Sequence, residues 1–123
     1  MQELNEGRYF SLATFRKSGT AVPTPVWYAE VDGRYYVFSA GDAGKVKRLR
    51  NGNKARVALC DARGGLLGDW HEATARLFDE DELVEKAHRA LRAKYGWQMI
   101  LADLGAKLTG RYNKRQFIEI SLT

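Results

Sequence analysis

The sequence predicts a small α+β domain, mainly β, in which about six antiparallel strands curl toward a barrel with helices on the flank. Three observations predict it. Runs rich in aromatic and β-branched residues fill residues 9–39 and return near 55–60, 70–78 and 117–122. The early runs are joined by short turns containing Gly, Asp and Ser, which suit hairpins rather than crossovers. The long helical patterns come only between residues 79 and 108. Closure into a barrel is the economical arrangement because it removes exposed strand edges.

Tyr9-Phe10-Ser11-Leu12-Ala13-Thr14-Phe15 is the first strand, and Arg16-Lys17-Ser18-Gly19 turns the chain into the second, Thr20 to Tyr28. This second run holds the chain's only two prolines, Pro23 and Pro25. Residues i and i+2 of a strand present their N–H groups to the same side, so one edge lacks consecutive donors and cannot be fully paired. The strand therefore belongs at a sheet edge, or beside a slot where something other than a strand meets the backbone. Asp32-Gly33 is a hairpin signal leading into Arg34-Tyr35-Tyr36-Val37-Phe38-Ser39, which gives three antiparallel strands in succession. Ala40-Gly41 ends that pattern, Asp42 suits an N-cap, and Ala43 to Arg50 reads as a short helix stopped by Asn51-Gly52.

A fourth strand follows at about Ala55 to Cys60, then a turn at Asp61-Ala62-Arg63-Gly64-Gly65, then a strand from Trp70 to Phe78 with Ala73, Ala75 and Leu77 on one face. Asp79 with Glu82 resembles a capping box. It opens a helix whose Leu83, Val84, Ala87 and Leu91 share a face and which stops near Gly96. Trp97 to Leu108 reads as another helix, with Leu101, Leu104 and Leu108 at helical spacing. Phe117 to Leu122 alternates as a closing strand, with Ile118, Ile120 and Leu122 inward.

The 123 residues form a single domain, 1–123, able to bury roughly two-thirds of the surface the unfolded chain exposes, so neither disulfide nor metal is needed to hold it. No apolar run approaches the roughly 18 residues of a membrane helix. The first residues show no secretory pattern, and Cys60 is the only cysteine, so a cytoplasmic location is expected. The formal charge of +5 favours an anionic partner: nucleic acid, a nucleotide-like cofactor or an acidic metabolite. The basic residues are spread over several elements without a long basic tail, which weakens the nucleic-acid reading.

The densest basic cluster is Lys45-Val46-Lys47-Arg48-Leu49-Arg50. On a helical wheel Val46 and Leu49 form the buried stripe, with Lys45 and Arg48 on one side of it and Lys47 and Arg50 on the other. Lys45 sits in the first turn, where a lysine is unfavourable by ~0.3–1 kcal/mol unless an anion is near. Together with the half-unpaired Pro23–Pro25 edge upstream, this suggests a phosphorylated ligand; a solvated basic surface is the plainer alternative. Other catalytic constellations are missing. His71 and His88 match no metal-ligand spacing, His88 reads as an ordinary surface residue of the long helix, and Cys60 reads as a small core residue. No Gly-x-Ser-x-Gly elbow or P-loop is present, so in an enzyme a cofactor would carry the chemistry.

Val22-Pro23-Thr24-Pro25-Val26-Trp27, Asp32-Gly33 with its aromatic strand, Gly44-Lys45-Val46-Lys47-Arg48-Leu49-Arg50-Asn51 and Val57-Ala58-Leu59-Cys60-Asp61 come in an order that resembles the split β-barrel oxidoreductases related to pyridoxamine 5′-phosphate oxidase. Gly68-Asp69-Trp70, Lys94-Tyr95-Gly96-Trp97-Gln98 and Thr109-Gly110-Arg111-Tyr112 resemble the branch that uses the deazaflavin coenzyme F-420. The resemblance implies an FMN-binding type of split barrel and a homodimer with cofactor sites at the subunit interface. It also implies ring contacts from Thr24, Pro25, Val26 and Trp27, a ribityl chain lined by Ser39 and Ala40, and a phosphate held by Lys45 and Arg48. Trp70, Trp97 and Arg111 are then candidates to reach the partner's site. The implied reaction is hydride transfer between coenzyme F-420, or alternatively FMN, and a small conjugated or unsaturated substrate, with no catalytic side chain. Two other classes stay open: a non-catalytic flavin, deazaflavin or haem carrier of the same fold, and a barrel binding single-stranded nucleic acid through Tyr35, Tyr36 and Phe38.

Overall fold

The computed structural model describes residues 7–41, 43–110 and 115–123. Strands β1 (Tyr9–Phe15), β2 (Ala21–Val26), β3 (Ala29–Val31), β4 (Arg34–Ala40), β5 (Lys54–Cys60), β6 (His71–Phe78) and β7 (Arg115–Leu122) form one sheet, ordered β2-β1-β5-β6-β7-β4-β3. Every pairing in it is antiparallel. Helix α1 (Gly44–Leu49) follows β4, and α2 (Asp81–Tyr95) and α3 (Trp97–Leu108) lie between β6 and β7.

The two edges of this sheet, β2 and β3, are consecutive in the chain and separated only by Trp27 and Tyr28. Two residues cannot bridge an open seven-stranded sheet, so the sheet curls until its edges meet, which makes a split barrel. The strand count of six is thus corrected to seven, because the second run is two strands. Its interruption has a local cause. The Tyr28 N–H donates to the Tyr95 hydroxyl at 2.9 Å, and that hydroxyl shares its proton between the carbonyls of Arg8 at 2.7 Å and Tyr28 at 3.0 Å. With its backbone groups taken by a side chain, Tyr28 leaves the ladder, and pairing passes from β1 on one side to β4 on the other. The expected three-stranded succession is accordingly two hairpins at opposite ends of the strand order. The β3–β4 turn has positive φ at both Asp32 (53°) and Gly33 (83°), as a two-residue hairpin turn demands.

Strand β2 has one neighbour, β1, with Pro23 opposite Ala13 and Pro25 opposite Ser11. Val22, Thr24 and Val26 supply the donors to β1, and the proline side faces outward, as the edge argument requires. The barrel interior packs Phe10, Leu12, Tyr28, Val37, Val57, Ile118 and Ile120, and Leu49 of α1 joins it. A separate layer on the outer face packs Tyr36, Phe78 and Phe117 against Ala87, Leu91, Tyr95 and Met99 of α2 and α3. Each large side chain buried this way contributes roughly 1.5–3 kcal/mol.

Three local expectations need correction. The N-cap of α2 is Glu80 and not Asp79, and no side chain caps it; the Glu80 carboxylate instead accepts from Arg76 at 3.2 Å. Leu122 is exposed, while Ile118 and Ile120 are buried as expected. Helix α3 turns Met99 and Asp103 inward and leaves Trp97, Ile100, Leu101, Leu104 and Leu108 exposed, so its apolar stripe faces out. Among the described residues no helix is long and apolar enough to cross a membrane.

Candidate functional site

Helix α1 sits as the wheel requires, with Val46 and Leu49 buried and Lys45 and Arg48 together on one side. Ala43 holds its N-cap position; Asp42 lies outside the described residues. Arg48 Nε donates to Thr14 Oγ1 at 2.7 Å, and its guanidinium folds back over Gly44, where an added Cβ would stand 2.8 Å from it. Thr14 is fully buried in β1, directly opposite Val22 of β2. Arg48 is therefore fixed to the end of the barrel where β2 begins, with Lys45 one turn before it on the same helix.

Burial first, and the neighbouring Arg48 second, hold the Lys45 ammonium below the ordinary lysine value. Burial and then Arg16 do the same to Arg48. Among the described residues no carboxylate pairs with Lys45 or Arg48. Cations that disfavour one another without a counter-charge form the electrostatic pattern an anion would relieve. Beside Arg48 a cavity of about 200 Å³ is lined by Phe15, Arg16, Lys17, Asn51, Gly52 and Lys54. The contribution of Arg16, Lys17 and Lys54 was not foreseen, because it arises when the β1–β2 hairpin folds beside the start of β5.

The remaining expected site residues divide. Thr24 is half-buried, and its Oγ1 is fully buried without a hydrogen-bond partner. Pro25 is exposed on the outward edge, whereas the side chains of Val26 and Ser39 are buried, so only their backbones are on offer. Ala40, at the end of β4, is exposed. Trp27 lies on the outer face, stacked on Tyr95 at 4.7 Å and edge-on to Phe38 at 6.4 Å. The role of Tyr95 in holding Tyr28 and Trp27 was not foreseen, although it continues the Ala87–Leu91 face at the same spacing. A buried hydroxyl left unsatisfied by the protein, an outward backbone edge and unneutralised cations fit a polar planar ring carrying a phosphorylated chain.

Trp70 and Trp97 are exposed, and Arg111 lies outside the described residues. Tyr35 and Tyr36 are buried, so they present no stacking platform for a nucleic-acid base. Cys60 is a buried free thiol pushed up by burial and by Asp61, which suits a core residue. No metal-ligand cluster occurs among the described residues. His88 is not the surface residue expected: its Nε2 lies 2.8 Å from Oδ2 of the buried Asp103.

A family model described as pyridoxamine 5′-phosphate oxidase matches residues 1–123. Among solved structures, a conserved hypothetical protein from Mycobacterium tuberculosis is similar with a TM-score of 0.73 and 23% identity over 99% of this chain and 81% of that one. The heme storage protein HutZ from Vibrio cholerae follows at a TM-score of 0.71 and 12% identity, covering 96% and 83%. A putative pyridoxamine 5′-phosphate oxidase from Listeria innocua has a TM-score of 0.63 and 11% identity, covering 95% and 85%. These structural likenesses establish the fold. No protein of curated function matches the chain.

Proposed function

The chain belongs to the pyridoxamine 5′-phosphate oxidase family, and from that membership we propose that it is a cofactor-dependent oxidoreductase using coenzyme F-420, with a small conjugated or unsaturated organic molecule as substrate. The observation that carries the reading is the unneutralised Lys45–Arg48 pair, whose Arg48 is pinned through Thr14 to the end of the barrel where β2 begins. When bound, a deazaflavin supplies hydride from its carbon C5, whereas the nitrogen N5 of a flavin also permits one-electron and oxygen chemistry.

The chain's own residues bind and orient. Lys45 and Arg48 hold the phosphate, the Thr24 hydroxyl and the outward backbone of Pro25 meet the ring system, and Ser39 and Ala40 line the chain between them. FMN is the alternative cofactor for the same residues. The exposed stripe of α3, together with Leu66, Leu67 and Trp70, supports a homodimer in which a second copy covers apolar surface and closes the site against water. A carrier without turnover is the second reading, favoured by the likeness to a heme storage protein.

Anaerobic mixing of the protein and reduced coenzyme F-420 with a panel of conjugated enones and quinones separates these readings. Catalytic reoxidation of the coenzyme with at least one acceptor is the expected result. Binding without turnover across the panel would favour the carrier.

A further inference from the structure

A cavity of about 490 Å³ opens between the end of β6, the first turns of α2 and the start of β7, and no residue of α1 lines it. Its apolar wall is Phe78, Phe117 and Val84. His88 also lines it, and its ring is held from behind. Nε2 donates to Asp103 at 2.8 Å, and Asp103 is itself fixed by Arg115 at 2.9 Å and by Arg92 at 3.6 Å. A carboxylate only accepts, so in the neutral ring Nε2 carries the proton and Nδ1 keeps its lone pair. Among the described residues nothing bonds Nδ1.

Glu85 and Arg89 border the same cavity one helical turn apart, in the order that favours an ion pair, yet they form none. Asp79 and Asp81 on the rim are likewise without an ion pair among the described residues. The cavity therefore combines an apolar wall, an oriented acceptor, and, unpaired among the described residues, the Arg89 guanidinium and the carboxylates of Glu85, Asp79 and Asp81, with Glu85 and Arg89 roughly 5–6 Å apart at their Cβ atoms.

We propose that this cavity is a second ligand site, for an α-amino acid with an apolar side chain. The ligand's carboxylate meets Arg89. Its ammonium, adjacent by its own covalent structure, meets Glu85 and donates to His88 Nδ1, while the side chain packs on Phe78, Phe117 and Val84. A phosphate is disfavoured by Asp79, Asp81 and Glu85, and a purely apolar ligand would leave the charges unused.

The chain has two histidines, so its proton NMR spectrum carries two imidazole C2–H signals, and His88→Asn identifies the relevant one. Cofactor-free full-length protein is titrated with L-phenylalanine, and in parallel with 3-phenylpropionate and 2-phenylethylamine, which each lack one charge. The expected result is a saturable shift of the His88 signal alone. Each analogue, and each of the exposed substitutions Arg89→Gln and Glu85→Gln, should weaken binding about tenfold or more. A His88 signal unmoved by millimolar phenylalanine, or analogues that bind as tightly as phenylalanine, would overturn the proposal. Since no cofactor is present, neither outcome depends on the oxidoreductase reading.

Discussion

Tyr95 fixes the break between β2 and β3, since its hydroxyl serves both backbone groups of Tyr28 and its ring carries Trp27. Tyr95→Phe should leave those buried groups unpaired and destabilise the protein by about 1–3 kcal/mol in urea unfolding, a loss that Tyr95→Leu would at least match. Lys94, next to it, lies 3.4 Å from the centroid of the Tyr28 ring and is lowered to about 8, by burial first and by Arg8 second. Between that value and the ordinary 10.5, the unfolded chain binds more protons than the folded one, so this group's contribution to stability rises with pH. Wild type should therefore gain on Lys94→Met between about pH 7 and about pH 9.5 in chemical denaturation, and a constant difference would remove Lys94 as the source. Lys45 and Arg48 were legible from six consecutive residues because a short helix fixes their relation locally. Thr14, Tyr95 and the His88–Asp103 contact were not, because each depends on which segments the fold brings together.

At the scale of elements, the strands and both long helices were readable from periodicity, and the edge position of β2 followed from two missing N–H groups. Periodicity does not say which way a stripe faces. The leucines of α3 keep helical spacing, yet the side turned to the protein is that of Met99 and Asp103, because Asp103 meets His88 and Arg115 there. Trp97, Ile100, Leu101, Leu104 and Leu108 then form an unshielded apolar face. If a second copy covers it, Leu104→Glu should convert a dimer to monomer in sedimentation without loss of helical circular dichroism. A wild-type protein that sediments as a monomer at micromolar concentration would contradict this assignment.

For the whole molecule, curling follows from a short connection: two residues join opposite edges of the strand order, so the barrel closes at Trp27 and Tyr28. Pro23 and Pro25 leave the strand beside the α1 cations one edge free of other strands. Composition and net charge alone left nucleic acid, cofactor and metabolite equally open, and only the folded arrangement gathers Arg16, Lys45 and Arg48 at one place. The most direct test of the resulting account is to titrate the apoprotein side by side with coenzyme F-420 and FMN, following ligand fluorescence, in wild type and in Lys45→Ala. The account predicts tighter binding of coenzyme F-420 and a loss of about tenfold or more on removing the Lys45 ammonium. Equal affinity in Lys45→Ala, or binding of neither ligand, would contradict it.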